Sequence, residues 1–124
     1  FSVERLKNPR EFSFVYSKGT PSFGRYVVVS VVPTGKDVSR VGFAVSKKLG
    51  TAVTRNKVRR RLRAIVQELR NQFSPGYDVV VGAKRSAVGA SFAELHEDLR
   101  CTLRKSRVWR KEAADLTGSG EEHA

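Results

Sequence analysis

Between Asp37 and Glu68 the chain carries no acidic residue, yet this stretch holds Arg40, Lys47, Lys48, Arg55, Lys57, Arg59, Arg60, Arg61 and Arg63. A solvated protein face normally intersperses both signs of charge, so an acid-free block of this density seeks a polyanion. Arginine predominates, and its planar, bidentate donors suit the phosphate oxygens of a structured nucleic acid better than the diffuse field of a membrane surface. On a helical wheel, Asn56, Arg59, Arg60 and Arg63 gather opposite the apolar stripe, and Lys57 and Arg61 fall on the remaining side. Arg55 projects near the stripe in the first turn, where its charge needs a partner.

A second constellation is aromatic. Phe12 and Tyr16 stand four residues apart with Val15 beside them, so on a helix the two rings share one face. Either a core stripe or a stacking platform for unpaired bases fits this spacing; aromatic faces bind single strands with little sequence preference, at ~1–3 kcal/mol per base. Catalysis by protein side chains finds no support. His96 and His123 lie in a charged helix and in the tail, and no nucleophile-plus-base pattern is present. Glu94, His96, Glu97 and Asp98 scatter over the exposed side of a helix as an ordinary solvated surface. Gly50 lacks the companion glycines and the Lys-Ser/Thr pair of a phosphate loop.

These residues must be positioned by a small frame. The chain has 124 residues, 40% hydrophobic and 29% charged, which is one modest domain and excludes a two-domain enzyme. Its 24 Lys and Arg against 12 Asp and Glu give +12. All 24 basic residues and only 8 of the acids fall in residues 1 to 111, so that body carries +16. The acidic remainder, 112–124, reads as a frayed tail. No apolar run approaches a membrane span and no N-terminal segment reads as a signal peptide. The lone Cys101 excludes an internal disulfide and a cysteine zinc cluster, so the expected location is cytoplasmic.

Asn8-Pro9-Arg10-Glu11 opens a helix, with Asn at the N-cap and Pro at the first helical position, and Gly19 closes it. Residues 25–33 are β-branched and end at Pro33, which predicts a strand covered on both faces. Residues 40–46 alternate Val41, Phe43 and Val45 with the small Gly42, Ala44 and Ser46, a second strand whose small-residue face lets a helix or ligand approach. Past Gly50-Thr51, the residues Val58, Leu62, Ile65, Val66, Leu69 and Phe73 mark an amphipathic helix. Ser74-Pro75-Gly76 ends it. Tyr77 to Ala83 form a third strand, so strand, helix and strand suggest a parallel crossover. Ser91-Phe92-Ala93-Glu94 is a capping box, opening a helix with Phe92, Leu95, Leu99 and Leu103 on its buried side that ends near Trp109.

The runs Arg-Val-Gly-Phe-Ala-Val-Ser-Lys-Lys over 40–48 and Thr-Arg-Asn-Lys-Val-Arg-Arg-Arg-Leu-Arg over 54–63 closely resemble the signature of the protein subunit of bacterial ribonuclease P. The similarity extends to Arg5-Leu6, to residues 12–19 and to 77–85, and spans about residues 5 to 107. The resemblance implies a compact α+β domain in the order αβββαβα, with a mixed four-stranded sheet and a left-handed crossover. Only three of its strands are read above; the fourth is expected around residues 20–32 or at the start of 39–46. It further implies removal of the 5′ leader of precursor tRNA, with hydrolysis by a catalytic RNA subunit using Mg²⁺ held mainly on RNA, and no protein catalytic residue or metal ligand. The expected partners are ribonuclease P RNA and precursor tRNA, with no membrane and no obligate protein partner. By the same resemblance, Phe12, Tyr16, Ser46, Lys47 and Arg85 belong to a leader-binding cleft, and Lys48, Arg55, Asn56, Lys57, Arg59, Arg60 and Arg63 to an RNA-binding basic helix. Lys57 stands where the family often has Arg, and Arg59 where it often has Lys. Two other readings remain: a ribosomal or general RNA-binding protein of similar fold, and a protein-only nuclease, which would need carboxylates not found here.

Overall fold

The computed structural model describes residues 3–109; the acidic tail expected over 112–124 lies outside them. The first helix, α1 (Pro9–Lys18), is capped as its sequence dictates. Asn8 Oδ1 accepts the Arg10 N–H at 2.9 Å, Pro9 opens the first turn, and the Gly19 N–H closes the last on the Val15 carbonyl. The second, α2 (Ala52–Leu69), starts at Thr51, whose hydroxyl accepts the Thr54 N–H. The third, α3 (Phe92–Arg104), has both halves of its capping box formed between Ser91 and Glu94. It ends at Arg104 rather than near Trp109. A turn after it carries Trp109 back to bridge Phe73, which joins the ends of α2 and α3.

Five strands appear among the described residues: β1 (Val3–Arg5), β2 (Thr20–Phe23), β3 (Val27–Pro33), β4 (Ser39–Ala44) and β5 (Tyr77–Ala83). They form one mixed α+β sheet in the order β1-β4-β5-β3-β2. The neighbours β4 and β5 run parallel and are joined through α2, the crossover that strand-helix-strand patterning predicts. The strand missing from the sequence reading is β2, which contains Pro21 and pairs antiparallel with β3 at the sheet edge, where proline's missing N–H costs no ladder bond. The fourth-strand expectation is thereby met in the 20–32 region. The sheet exceeds the expected four strands by β1, a three-residue piece parallel to β4 and too short to show a period.

The two faces of the sheet are unequally covered. On one, α2 and α3 bury Val58, Leu62, Ile65, Leu95, Leu99 and Leu103 against Val27, Val29, Val31, Val41, Val79 and Val81. At ~1.5–3 kcal/mol per fully buried aliphatic side chain, this layer carries most of the stability. On the other, α1 rests on a small cluster of Leu6, Val15, Val32 and Val80. Phe92, expected among the buried positions of α3, is 37% exposed because it stands at the helix's first turn.

The start of β3 falls at Val27 rather than at residue 25 because the backbone before it turns to one carboxylate. Asp98 of α3 accepts the N–H groups of Arg25 at 2.8 Å, Tyr26 at 2.7 Å and Val27 at 3.2 Å. Gly24 permits this approach, since a Cβ there would lie 2.3 Å from Thr102 Oγ1 and 2.6 Å from Asp98 Oδ2. Asp98 therefore does not belong to a solvated acidic surface. His96, at 3.0 Å from Glu68, links α3 to α2, and Glu97 pairs with Arg100. Replacing Asp98 with Ala leaves three donors without their acceptor, and charged hydrogen bonds of this kind contribute ~1.5–3 kcal/mol each before water compensates. The expected loss in D98A is ~2–4 kcal/mol, read as a lower urea midpoint at unchanged slope.

Candidate nucleic-acid interface

The sheet residues facing α1 are small where they lie beneath its aromatics. A Cβ on Gly42 would fall 2.3 Å from Phe12 Cζ, so the ring lies directly on the strand, and only glycine leaves room for it. One turn on, the Tyr16 hydroxyl sits 3.4 Å from where a Cβ on Gly82 would be. The small-residue face of β4 thus admits a helix, as its sequence predicts, and the bare strip continues sideways through Ala44 and Gly82. The result is a cleft of about 580 Å³ whose walls include Phe12, Tyr16, Val28 and Ser46, with Ala44 and Gly82 in its floor. Phe12 is half-buried and Tyr16 is 53% exposed, so the pair serves the small core and the cleft at once. Partial burial pushes the Tyr16 phenol above its ordinary value of 10.0 and keeps it neutral.

Of the five residues expected in this cleft, Phe12, Tyr16 and Ser46 line it. Ser46 also caps a one-turn 3-10 helix over Lys47–Leu49, accepting the Lys48 N–H at 3.1 Å. Lys47 is exposed in that turn, and Arg85 is exposed at the start of another over Arg85–Gly89. Both are outside the wall itself, at the ends of segments that leave it.

Lys48 is not on the basic helix. It lies in the same 3-10 turn as Lys47, separated from α2 by Gly50, whose φ of 139° lets the chain swing into the helix. Arg55 finds its partner locally, its Nε donating to the Gly50 carbonyl at 3.3 Å. Asn56 Oδ1 accepts from Arg59 Nη1 at 2.8 Å and so fixes the direction of that guanidinium.

The helical wheel sets Arg59 and Arg63 opposite the core, whereas both turn toward the sheet. They line a second hollow of about 430 Å³ with Arg5 and Lys7, around Phe12 and Phe43. Arg59 borders the buried stripe, and its long stem lets the charged end reach the rim of the sheet. Phe12, Phe43 and Arg59 border both hollows, which therefore lie side by side. Lys57 is exposed, and Arg60, also exposed, lines a further hollow at the sheet edge with Glu4, Arg5 and Arg63. Among the described residues, Arg5, Lys7, Lys57, Arg60 and Arg63 have no acidic partner.

Two other arginines of the acid-free block serve the frame. Arg40 donates to both oxygens of Asp78, at 2.9 and 2.6 Å, and pairs with Glu11 of α1 at 2.9 Å. The Asp78 hydrogen bond foremost, with Glu11 adding to it, holds the Arg40 guanidinium even more firmly protonated than usual. Arg61 Nη1 donates to the Ala90 carbonyl at 3.0 Å, tying α2 to the segment before α3. The sequence reading missed Arg5, Lys7 and Phe43 as members of the basic hollow. Arg5 and Lys7 flank Leu6, whose burial was the available signal that both neighbours point outward.

Residues 2–107 match the family model described as Ribonuclease P. The chain is 41% identical over 106 residues to the ribonuclease P protein component of Shouchella clausii, covering 85% of this chain and 87% of that one. It superposes on the RNase P protein of Staphylococcus aureus with a TM-score of 0.79 at 29% identity, covering 87% of this chain and 99% of the other. For the RNase P protein of Thermotoga maritima the TM-score is 0.77 at 30% identity, with 84% and 98% covered. A match across nearly the whole described fold, in both sequence and structure, means that this chain belongs to the ribonuclease P protein family.

Proposed function

We propose that this chain, as a ribonuclease P protein component, binds the single-stranded 5′ leader of precursor tRNA in the cleft between α1 and the sheet and the catalytic RNA along α2. The observation that carries the reading is the adjacency of an aromatic cleft and a hollow ringed by Arg5, Lys7, Arg59 and Arg63, with Phe12, Phe43 and Arg59 in the walls of both. A single strand offers two things along its length, base faces and phosphates, and the neighbouring hollows offer a counterpart to each. Ser46 acts in the cleft wall and Lys47 and Arg85 at its ends, while Lys48, Arg55, Lys57 and Arg60 extend the cationic surface toward the RNA subunit and Asn56 orients Arg59 on it.

The chain's own part is to bind and position. A body of high positive charge between two polyanions lowers their mutual repulsion and holds the leader extended. Among the described residues no group of three or more His, Cys, Asp or Glu is gathered to hold a metal ion. As part of the same proposal, the Mg²⁺ needed for hydrolysis is assigned to the RNA and substrate, and no step here passes through it. No described helix is long and apolar enough to cross a membrane.

The decisive experiment is cleavage of precursor tRNA at low Mg²⁺ by a bacterial ribonuclease P RNA, with and without this chain, on substrates with and without a leader. A gain confined to leader-bearing substrate is expected. A gain indifferent to the leader would favour a general RNA-binding role, and cleavage by the chain alone would point to a protein nuclease. Phe12→Leu, which keeps apolar bulk but removes the π face, should weaken precursor binding by about 5- to 20-fold and leave mature tRNA unchanged.

Binding should also fall steeply with salt. If about 8 phosphates are engaged, a plot of log K against log salt concentration has a slope of about −6 to −7, and Arg63→Ala makes it shallower by about 1. A flat plot would contradict the phosphate contacts. Because burial keeps Tyr16 neutral, it contributes no charge change to binding between pH 6 and 9. Tyr16→Phe should retain leader affinity there, and absorbance titration should show the lost phenol ionising above 10.0 in the parent protein.

A further inference from the structure

Phe23 ranks among the most exposed large apolar side chains of the described residues, with 61% of its surface in solvent. A lone exposed apolar residue is ordinary; the strand register makes this one different. Phe23 pairs with Val28 across β2 and β3, Val28 with Gly82 across β3 and β5, and Gly82 with Ala44 across β5 and β4. Residues directly opposite in adjacent strands share a face. Ala44, Gly82, Val28 and Phe23 therefore form one row across the sheet, and the first three line the aromatic cleft. The neighbouring Ser22 pairs with the fully buried Val29 on the opposite face, which fixes the alternation.

Phe23 ends this row on the side away from α2. With strands about 4.8 Å apart, it stands about 10 Å from Gly82, where the Tyr16 hydroxyl lies. Its backbone is firmly held. Lys105 Nζ donates to the Phe23 carbonyl at 2.9 Å, Lys84 Nζ to the Gly24 carbonyl at 2.6 Å, and Ser86 Oγ to the Arg25 carbonyl at 3.0 Å. Asp98, the nearby acid, is occupied by three backbone N–H groups. Each ammonium keeps donors to spare beyond its carbonyl, so two cations stand at the same corner of the sheet as Phe23 and can take phosphates there. Such presentation reduces the ordering cost of stacking.

We propose that Phe23 is a third stacking residue, extending the single-strand cleft beyond Tyr16 to the β2 edge of the sheet, with Lys84 and Lys105 taking the accompanying phosphates. The occupant is the part of the leader furthest from α2, so the inference rests on the leader-binding function proposed above. It adds a distal subsite to the Phe12 and Tyr16 pair and makes the useful leader longer than those two rings alone would reach.

The test uses holoenzyme assembled from the full chain and a bacterial ribonuclease P RNA, and precursor tRNAs whose leaders are shortened one nucleotide at a time. In the parent protein, affinity should rise with leader length in successive steps. Phe23→Ala should abolish the step given by the longest leaders, about 5- to 10-fold, and leave short-leader and mature tRNA binding unchanged. Phe23→Tyr should restore the step and Phe23→Leu should not. A 2-aminopurine at the nucleotides of that step should be quenched on binding to the parent and not to Phe23→Ala. Because Phe23 is exposed, thermal melting of these variants should match the parent. If Phe12→Leu is leader-dependent but Phe23→Ala weakens all lengths equally or none, the distal subsite is wrong and the leader function stands. If neither variant depends on the leader, that function fails first. Loss of self-association or of protein binding in Phe23→Ala, with leader steps intact, would overturn the subsite in favour of a protein-docking role.

Discussion

The open face of the sheet depends on missing side-chain bulk at Gly42, Ala44 and Gly82. A sheet packed on both faces ordinarily fills the space beneath a helix with branched side chains, as β3 and β5 do beneath α3. Beneath α1, however, the Phe12 ring occupies the site where the Gly42 side chain would be, and Tyr16 reaches across the strip beside it. Two aromatics can then bring the ends of their rings down onto the backbone and still present surface to the cleft. A single methyl at residue 42 would meet the ring at 2.3 Å and force it outward or lift the helix. Since α1 is otherwise held by a four-residue buried cluster and the Glu11–Arg40 pair, it has little reserve against such a push.

Much of the charge on α2 is distributed against the helix's own stability, although Arg70 at its C-cap donates to the Gln67 carbonyl. The first turn of α2 contains no acid, and Arg55 and Lys57 follow closely. Cations near a helix N-terminus oppose its macrodipole, typically by ~0.3–1 kcal/mol at exposed positions, and Glu68 near the C-terminus opposes it again. A structural helix would carry these signs reversed. A polyanion lying along the N-terminal half gains from the side chains and from the dipole together. The arginines that do stabilise the isolated fold are the ones withdrawn from this surface: Arg40 on its two carboxylates and Arg61 on the Ala90 carbonyl.

Local rules carried most of the frame. The caps at Asn8 and Ser91, the breaker Ser74-Pro75-Gly76 and the β-branched runs define helices and strands close to their observed limits, because each is decided by a few adjacent residues. What eluded sequence reading depends on tertiary partners. The strand β2, with a proline and polar neighbours, is a strand only because β3 offers it an edge, and β1 has three residues whose pairing comes entirely from β4. The roles of Arg40 and Asp98 are invisible to periodicity, since each is fixed by groups 29 to 73 residues away. The spacing of Phe12 and Tyr16 fits either a core stripe or a stacking platform, and in the structure Phe12 packs on the small core while both rings line the cleft. Arg59 precedes the buried Val66 by seven residues and so, at about 100° per residue, lies beside the stripe rather than opposite it, whereas Arg63 reaches the sheet edge through the length of its stem.

The chemistry of the cleft also bears on what kind of specificity it can have. Of its wall residues, only Tyr16, Ser46 and Arg59 bring side-chain polar groups, and the rest are aliphatic, aromatic or glycine. Arg59 is already directed by Asn56, and the Ser46 hydroxyl accepts the Lys48 N–H. Three polar side chains are a small set with which to read the hydrogen-bonding edges of several bases, and reading edges is what sequence discrimination requires. Stacking and phosphate pairing accept any base, because every base has a π face and every nucleotide a phosphate. Under the proposed function, then, a strand is selected for being single-stranded, extended and attached at one end to a folded RNA, and its sequence matters little. That is the selectivity suited to a segment that differs from one precursor to the next while the body beside it keeps one shape.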